Sequence, residues 1–164
     1  MATITTLSNS VGAATHPSVS SRNQPYMVEN TVNWASAATA KGSALAANDV
    51  IEALQIPAQS IVLAAGFEVI TAATGSCTVS LGVTGVTAAA YVAAFAVTSS
   101  ATAGTYATPA VAGYPIVSQS ADTIDLLLVT ETTTLSVGSV RVFALIVDAS
   151  DRVGPASVDR EQLA

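Results

Sequence analysis

The stretch SCTVSLGVTG, residues 76–85, sets Cys77, Val79, Leu81 and Val83 against Thr78, Ser80 and Gly82. Strict apolar–polar alternation has a period of two, which suits a strand with one covered face and cannot serve an amphipathic helix. It is the cleanest such signal in the chain, and the same short runs cut by turn residues recur on both sides of it. YMVENTVNWAS, from Tyr26, predicts a first strand through Met27, Val28, Val32 and Trp34. DVIEALQIP predicts a second, stopped by Pro57, which cannot donate to a ladder. SIVLAAGFEVITAA predicts a long third strand bent at Gly66. Beyond residue 113 come a short strand near YPIVS, then DTIDLLLVT, then SVRVFALIVDA, the last two joined by polar ETTTLSVG and expected to pair as a hairpin.

TAAAYVAAFAV breaks this texture. Its alanines favour a helix, and Tyr91 and Phe95 stand four apart on one helical face, so a short helix in a long connection is expected there. A strand through Tyr91, Ala93 and Phe95 is the alternative. TSSATAGTYATPAVAG, dense in Gly, Ser, Thr and Pro, reads as loop. Seven to eight short strands with almost no helix give an all-β class, an antiparallel β-sandwich of jelly-roll type. A doubly wound α/β fold needs amphipathic helices between its strands, and they are missing.

The organisation expected is one domain with two appendages. Residues 1–25 are rich in Ser, Thr, Asn and Ala without sustained periodicity, which reads as an extended N-terminal arm. Residues 26–149 hold the sandwich. Residues 150–164 carry clustered charges and Pro155 and read as an exposed C-terminal tail.

Charge narrows the function classes. Only 10% of residues are charged, and none lies between Glu68 and Asp122. A monomer wetted on all sides usually carries about 25%, so the shortage points to surface shared with other protein, or to a neutral Ser- and Thr-rich surface. The net charge is −6 and the five basic residues are scattered, which argues against nucleic acid and against anionic membranes. No run reaches the ~20 apolar residues of a spanning helix. The opening MATITTLSNS has neither a basic nor an apolar signal region, and the lone Cys77 fits a reducing cytosol.

Candidate chemistry is sparse. His16 falls in the arm, where a catalytic base would lack preorganisation. Cys77 shares a strand face with Val79 and Leu81 and reads as core filler. One Cys and one His cannot make a zinc site without several carboxylates. The glycines around residue 82 match no phosphate-binding spacing. Two phrases of the form Asp-x-Ile-acid remain: Asp49 with Glu52, and Asp122 with Asp125. Three apart on a strand, each pair points to opposite faces. A calcium site joining Asp49 to Asp122, or a glycosidase-type pair drawn from the four, stays open. The preferred reading is structural: Arg141, on a face with Phe143, Leu145 and Val147, pairs with Asp125 or Asp122. No catalytic, cofactor-binding or metal-binding residue is assigned. Tyr26 and Trp34 are the interface candidates, since aromatics favour interface centres.

In order, DVIEALQIPAQSIVLAAGFEVITA, SLGVTG, AAAYVAAF, AGTYATP, SADTIDLLLV and GSVRVFALIVD resemble small virion structural proteins of tailed bacteriophages, marine and cyanobacterial ones in particular. The resemblance spans Tyr26 to Ala149. It implies a capsid decoration (cement) protein, not an enzyme, made in the bacterial cytoplasm and placed on the capsid surface. The partner implied is the major capsid protein, the body a jelly roll that forms homo-oligomers, with trimers favoured, and no cofactor is implied. A head-fibre, knob or tail adhesive module is the neighbouring alternative.

Overall fold

In the computed structural model, the residues described are 2–5, 25–83, 87–98, 102–107, 115–133 and 135–148. His16, the C-terminal tail, and much of the arm and of the loop before residue 114 lie outside them.

Among the described residues the strands are β1 (Thr3–Thr5), β2 (Tyr26–Asn33), β3 (Val50–Ile56), β4 (Ser60–Thr71), β5 (Ser76–Val83), β6 (Thr87–Thr98), β7 (Ile116–Ser118), β8 (Asp122–Thr133) and β9 (Ser139–Asp148), with one helix, α1 (Trp34–Lys41). They make a five-stranded sheet ordered β1-β3-β8-β5-β6 and a four-stranded sheet ordered β2-β9-β4-β7. All pairings are antiparallel except β1 with β3. The two sheets close over one core, with Val32, Val62, Phe67, Val142 and Ile146 from one side meeting Ile51, Leu54, Leu81, Ile124 and Leu126 from the other. The β-sandwich expectation therefore holds, and the core is aliphatic because the sequence offers Val, Leu and Ile at every second position of most strands.

The segment expected to be helical is β6. It pairs along β5, with Phe95 opposite Val79 and Val92 opposite Leu81, so three steps on β6 span two on β5. The extra residue bulges at Ala94, where φ is 39°, and Ser80 Oγ accepts the Ala94 N–H at 3.0 Å. Helix propensity separates Ala from an ordinary residue by at most ~0.7 kcal/mol. Burying Tyr91, Val92 and Val97 outweighs that at roughly 1.5–3 kcal/mol for each large apolar side chain.

The actual helix follows β2 directly. Asn33 ends the strand and caps α1, its side chain accepting the Ser36 N–H at 3.2 Å. Gly42 ends the helix at φ 77°, donating to the carbonyls of Ala38 and Thr39. Trp34, read as a strand residue, is the first helical residue and is wholly buried.

β8 and β9 do not form a hairpin; they belong to different sheets. The described residues between them, 135–138, pack against the core. Leu135 is fully buried there, and Gly138 sits at φ 110°, its carbonyl accepting the Trp34 N–H at 3.1 Å. The turn chemistry was read correctly as a break, but a break does not say which sheet the next strand joins.

Candidate interaction surface

The two carboxylate phrases meet. β3 pairs antiparallel with β8, and Glu52 lies opposite Asp125. A bulge between Glu52 and Leu54 follows at once. Like charges directly opposed on a sheet repel, and the sequence separates them by environment: Asp125 is buried while Glu52 is half-exposed and accepts the Thr5 hydroxyl at 2.7 Å. Asp122 begins β8 opposite Ile56, accepting the Thr123 N–H at 2.8 Å, while Asp49 stands just before Val50, which faces Leu127. At ~3.3 Å per residue Asp49 and Asp122 are on the order of 20 Å apart, too far to share one ion. Among the described residues no three of His, Cys, Asp or Glu gather where a metal could be held.

Asp49 has its own structural task. Its carboxylate takes the Lys41 ammonium, the Ala46 N–H at 2.8 Å and the Ala2 N–H at 3.1 Å. Burial raises its pKa, but the hydrogen bonds from Lys41, Ala46 and Ala2 outweigh that and hold the carboxyl below its ordinary value. It thereby ties the end of α1, the loop after it and β1 to the start of β3.

Arg141 does not pair with Asp125 or Asp122, which lie in the other sheet. On the central strand β9 it faces Glu68 of β4 in register, with Nη2 2.5 Å from Glu68 Oε2 and Nη1 3.7 Å from Glu29 Oε2. The face shared with Phe143, Leu145 and Val147 was read correctly, but it is the outer face: Val140, Val142, Ala144 and Ile146 are the buried set. Cys77 is buried in the core as expected. Trp34 is buried within this chain and presents no ring to a partner, whereas Tyr26 is half-buried at the start of the edge strand β2.

The outer face of the four-stranded sheet is the surface that sequence reading missed. Met27 lies opposite Leu145, Leu145 opposite Ala64, and Val147 opposite Ile61, which in turn faces Val117. Phe143 lies opposite Gly66, where a Cβ would come within 3.0 Å of its ring; the missing side chain makes room for the phenyl group. Tyr106 packs edge-on against that ring, 6.3 Å between centroids. Met27, Tyr106 and Val117 are 65%, 56% and 60% exposed, so the row is open to contact. Contiguous apolar surface of this kind marks interaction sites in soluble proteins. The charged trio of Arg141, Glu68 and Glu29 rims one end. The signal in the sequence was VRVFALIV, which is apolar at both parities and so needs cover on both faces.

No protein-family model and no curated protein matches the chain. Two solved structures share its fold. One is a chain of the cyanophage Pam1 capsid asymmetric unit, 20% identical, with 75% of this chain and 84% of that chain covered at a TM-score of 0.56. The other is a chain of the capsid of Ralstonia phage GP4, 14% identical, with 79% of this chain and 88% of that chain covered at a TM-score of 0.60. At these identities the likeness is one of fold.

Proposed function

We propose that the chain is a structural protein of a bacteriophage virion, and that it binds the outside of the capsid shell as a decoration, or cement, protein. The observation that carries this reading is the fold match, which spans more than four-fifths of both phage capsid chains. The uncovered row from Met27 through Leu145 to Val117, with the Tyr106–Phe143 stack, supplies a surface suited to burial against other protein. The work done is binding rather than catalysis. A protein that binds only the assembled shell stabilises it by mass action, about 2.7 kcal/mol per site at a free concentration 100 times Kd. The partner is the major capsid protein, and copies of the chain assemble as a homo-oligomer, a trimer by preference, on the capsid surface.

Co-sedimentation with emptied shells of the parent phage tests this. The wild-type chain pellets with the shells, and Met27→Asp with Val117→Asp abolishes pelleting while the circular dichroism spectrum is unchanged. Equal pelleting of both proteins, or a cryo-EM map of the parent particle with no density for the chain on its shell, would refute it. Exposure of Tyr106, in the loop before residue 114, favours a second reading as a head-fibre, knob or tail module that touches the host surface. That reading requires glycan-array binding that Tyr106→Ser removes.

A further inference from the structure

The seat of β1 has the form of a site for a separate strand. Residues 3–5 add to the edge of β3 in parallel, with Thr3 opposite Val50 and Thr5 opposite Glu52. The Val50 N–H donates to the Ala2 carbonyl at 2.8 Å, and the Ala2 N–H reaches Asp49. Ile4 is buried to 3% exposure in the main core, and Thr5 donates to Glu52. These hydrogen bonds all end on residues 49–52; none depends on the chain that follows Thr5.

That following chain is longer than the path needs. β2, where the described chain resumes, packs over β3, with Asn30 Nδ2 donating to the Ala53 carbonyl at 2.9 Å. Going from Thr5 across to Glu52, over to Asn30 and along β2 to Tyr26 is at most about 30 Å by strand and sheet spacings. Residues 6–25 extend to about 65 Å at ~3.3 Å each. The surplus is on the order of 35 Å, and the contacts made by β1 are the same whichever copy supplies it.

We propose that the β3 edge, with the Ile4 socket and Asp49, is a strand-exchange site that accepts residues 2–5 of a second copy of this chain. The occupant is fixed by complementarity. The socket takes one branched aliphatic residue, Asp49 takes the backbone N–H two residues before it, and Glu52 takes a hydroxyl one residue after it. Any sequence of that pattern fits, and the chain carries one with a tether long enough to reach a neighbour. The inference stands on this seat alone and holds whether or not the chain belongs to a virion.

Two full-length chains of different mass test it, one Thr5→Cys and the other Glu52→Cys, unfolded, mixed, refolded over a concentration series and oxidised. The register sets the two thiols opposite each other, and the native Cys77 is buried. Exchange gives a disulfide-linked heterodimer whose yield rises with concentration and is lost when Ile4→Asp is added to the Thr5→Cys chain. A chain carrying both cysteines reports whether the seat is filled from within. If that chain cross-links only as a monomer and the mixture yields no heterodimer, exchange is refuted. Absence of cross-linking in both refutes the seat itself.

Discussion

Gly138 is where the crossing between sheets is most tightly constrained, and its replacement by Ala separates two costs that glycine positions usually blend. Its φ of 110° lies where L side chains rarely go, and an added Cβ would sit 2.8 Å from Ala73 Cα and 2.9 Å from the Ala72 carbonyl oxygen. Both obstacles are backbone, so relief requires moving the β4–β5 connection. Gly42 offers the control: its φ is 77°, yet nothing lies within 4 Å of an added Cβ. Conformational strain alone sets the cost at Gly42, about 1 kcal/mol. At Gly138 strain of ~1–3 kcal/mol adds to overpacking of ~1–3 kcal/mol, for a total near 4 kcal/mol. At ~2.1 cal/mol/K per residue, a folded body of about 120 residues unfolds with an entropy near 0.25 kcal/mol/K. Thermal melts followed by far-UV circular dichroism should therefore fall by about 4 °C for Gly42→Ala and by about 15 °C for Gly138→Ala. Equal losses would show that the backbone clash carries no cost and would refute the account of the crossing.

Asp49→Asn removes a depressed carboxyl. The folded-state pKa lies below the unfolded value of about 3.9, so the stabilisation is present above that value and disappears as pH falls through the folded one. The variant should be less stable than wild type at pH 7, and the difference should shrink as the pH falls below the unfolded value and through the folded one, as read by urea titrations at stepped pH. Arg141→Met should lower the melting temperature only slightly, by an amount that shrinks in 1 M salt, because the pair with Glu68 lies on the outer face. A large, salt-independent loss would mean that the guanidinium is buried. Trp34→Ala should cost about 3–5 kcal/mol in denaturant unfolding, since the ring is fully buried.

Strands that bury one face or both were legible wherever turn residues bounded them, so β3, β4, β5 and β9 stand within a residue or two of their expected places, and β8 starts where expected but runs three residues further. β6 was not, because alanine's local preference opposes a pairing that only β5 supplies. β1 was not, because three residues with a single aliphatic carry no period, and their partner Val50 is 47 positions along from Thr3. For α1 the signal was present in the Asn33 cap, the Ala-rich run and the stop at Gly42, but the β-rich phrase before it masked the change of period. The failed pairing of Arg141 with Asp125 has one cause. β9 is apolar on both faces, so parity could group Arg141 with Phe143 and Leu145 but could not say which group meets the core.

The position of β9 also sets when the fold can close. It lies between β2 and β4, supplying the ladder partner for one side of each. Until residues 139–148 are synthesised, β2 and β4 are not joined into one sheet, and β4 has only the short β7 beside it. Assembly must then wait for contacts distant along the chain, which places folding in the slow, millisecond-to-second class of β proteins. A nascent chain halted before Ser139 would leave β2 without its ladder partner and β4 paired only with β7 over Ser60–Val62, so β9 acts as the gate between an aggregation-prone intermediate and the folded protein.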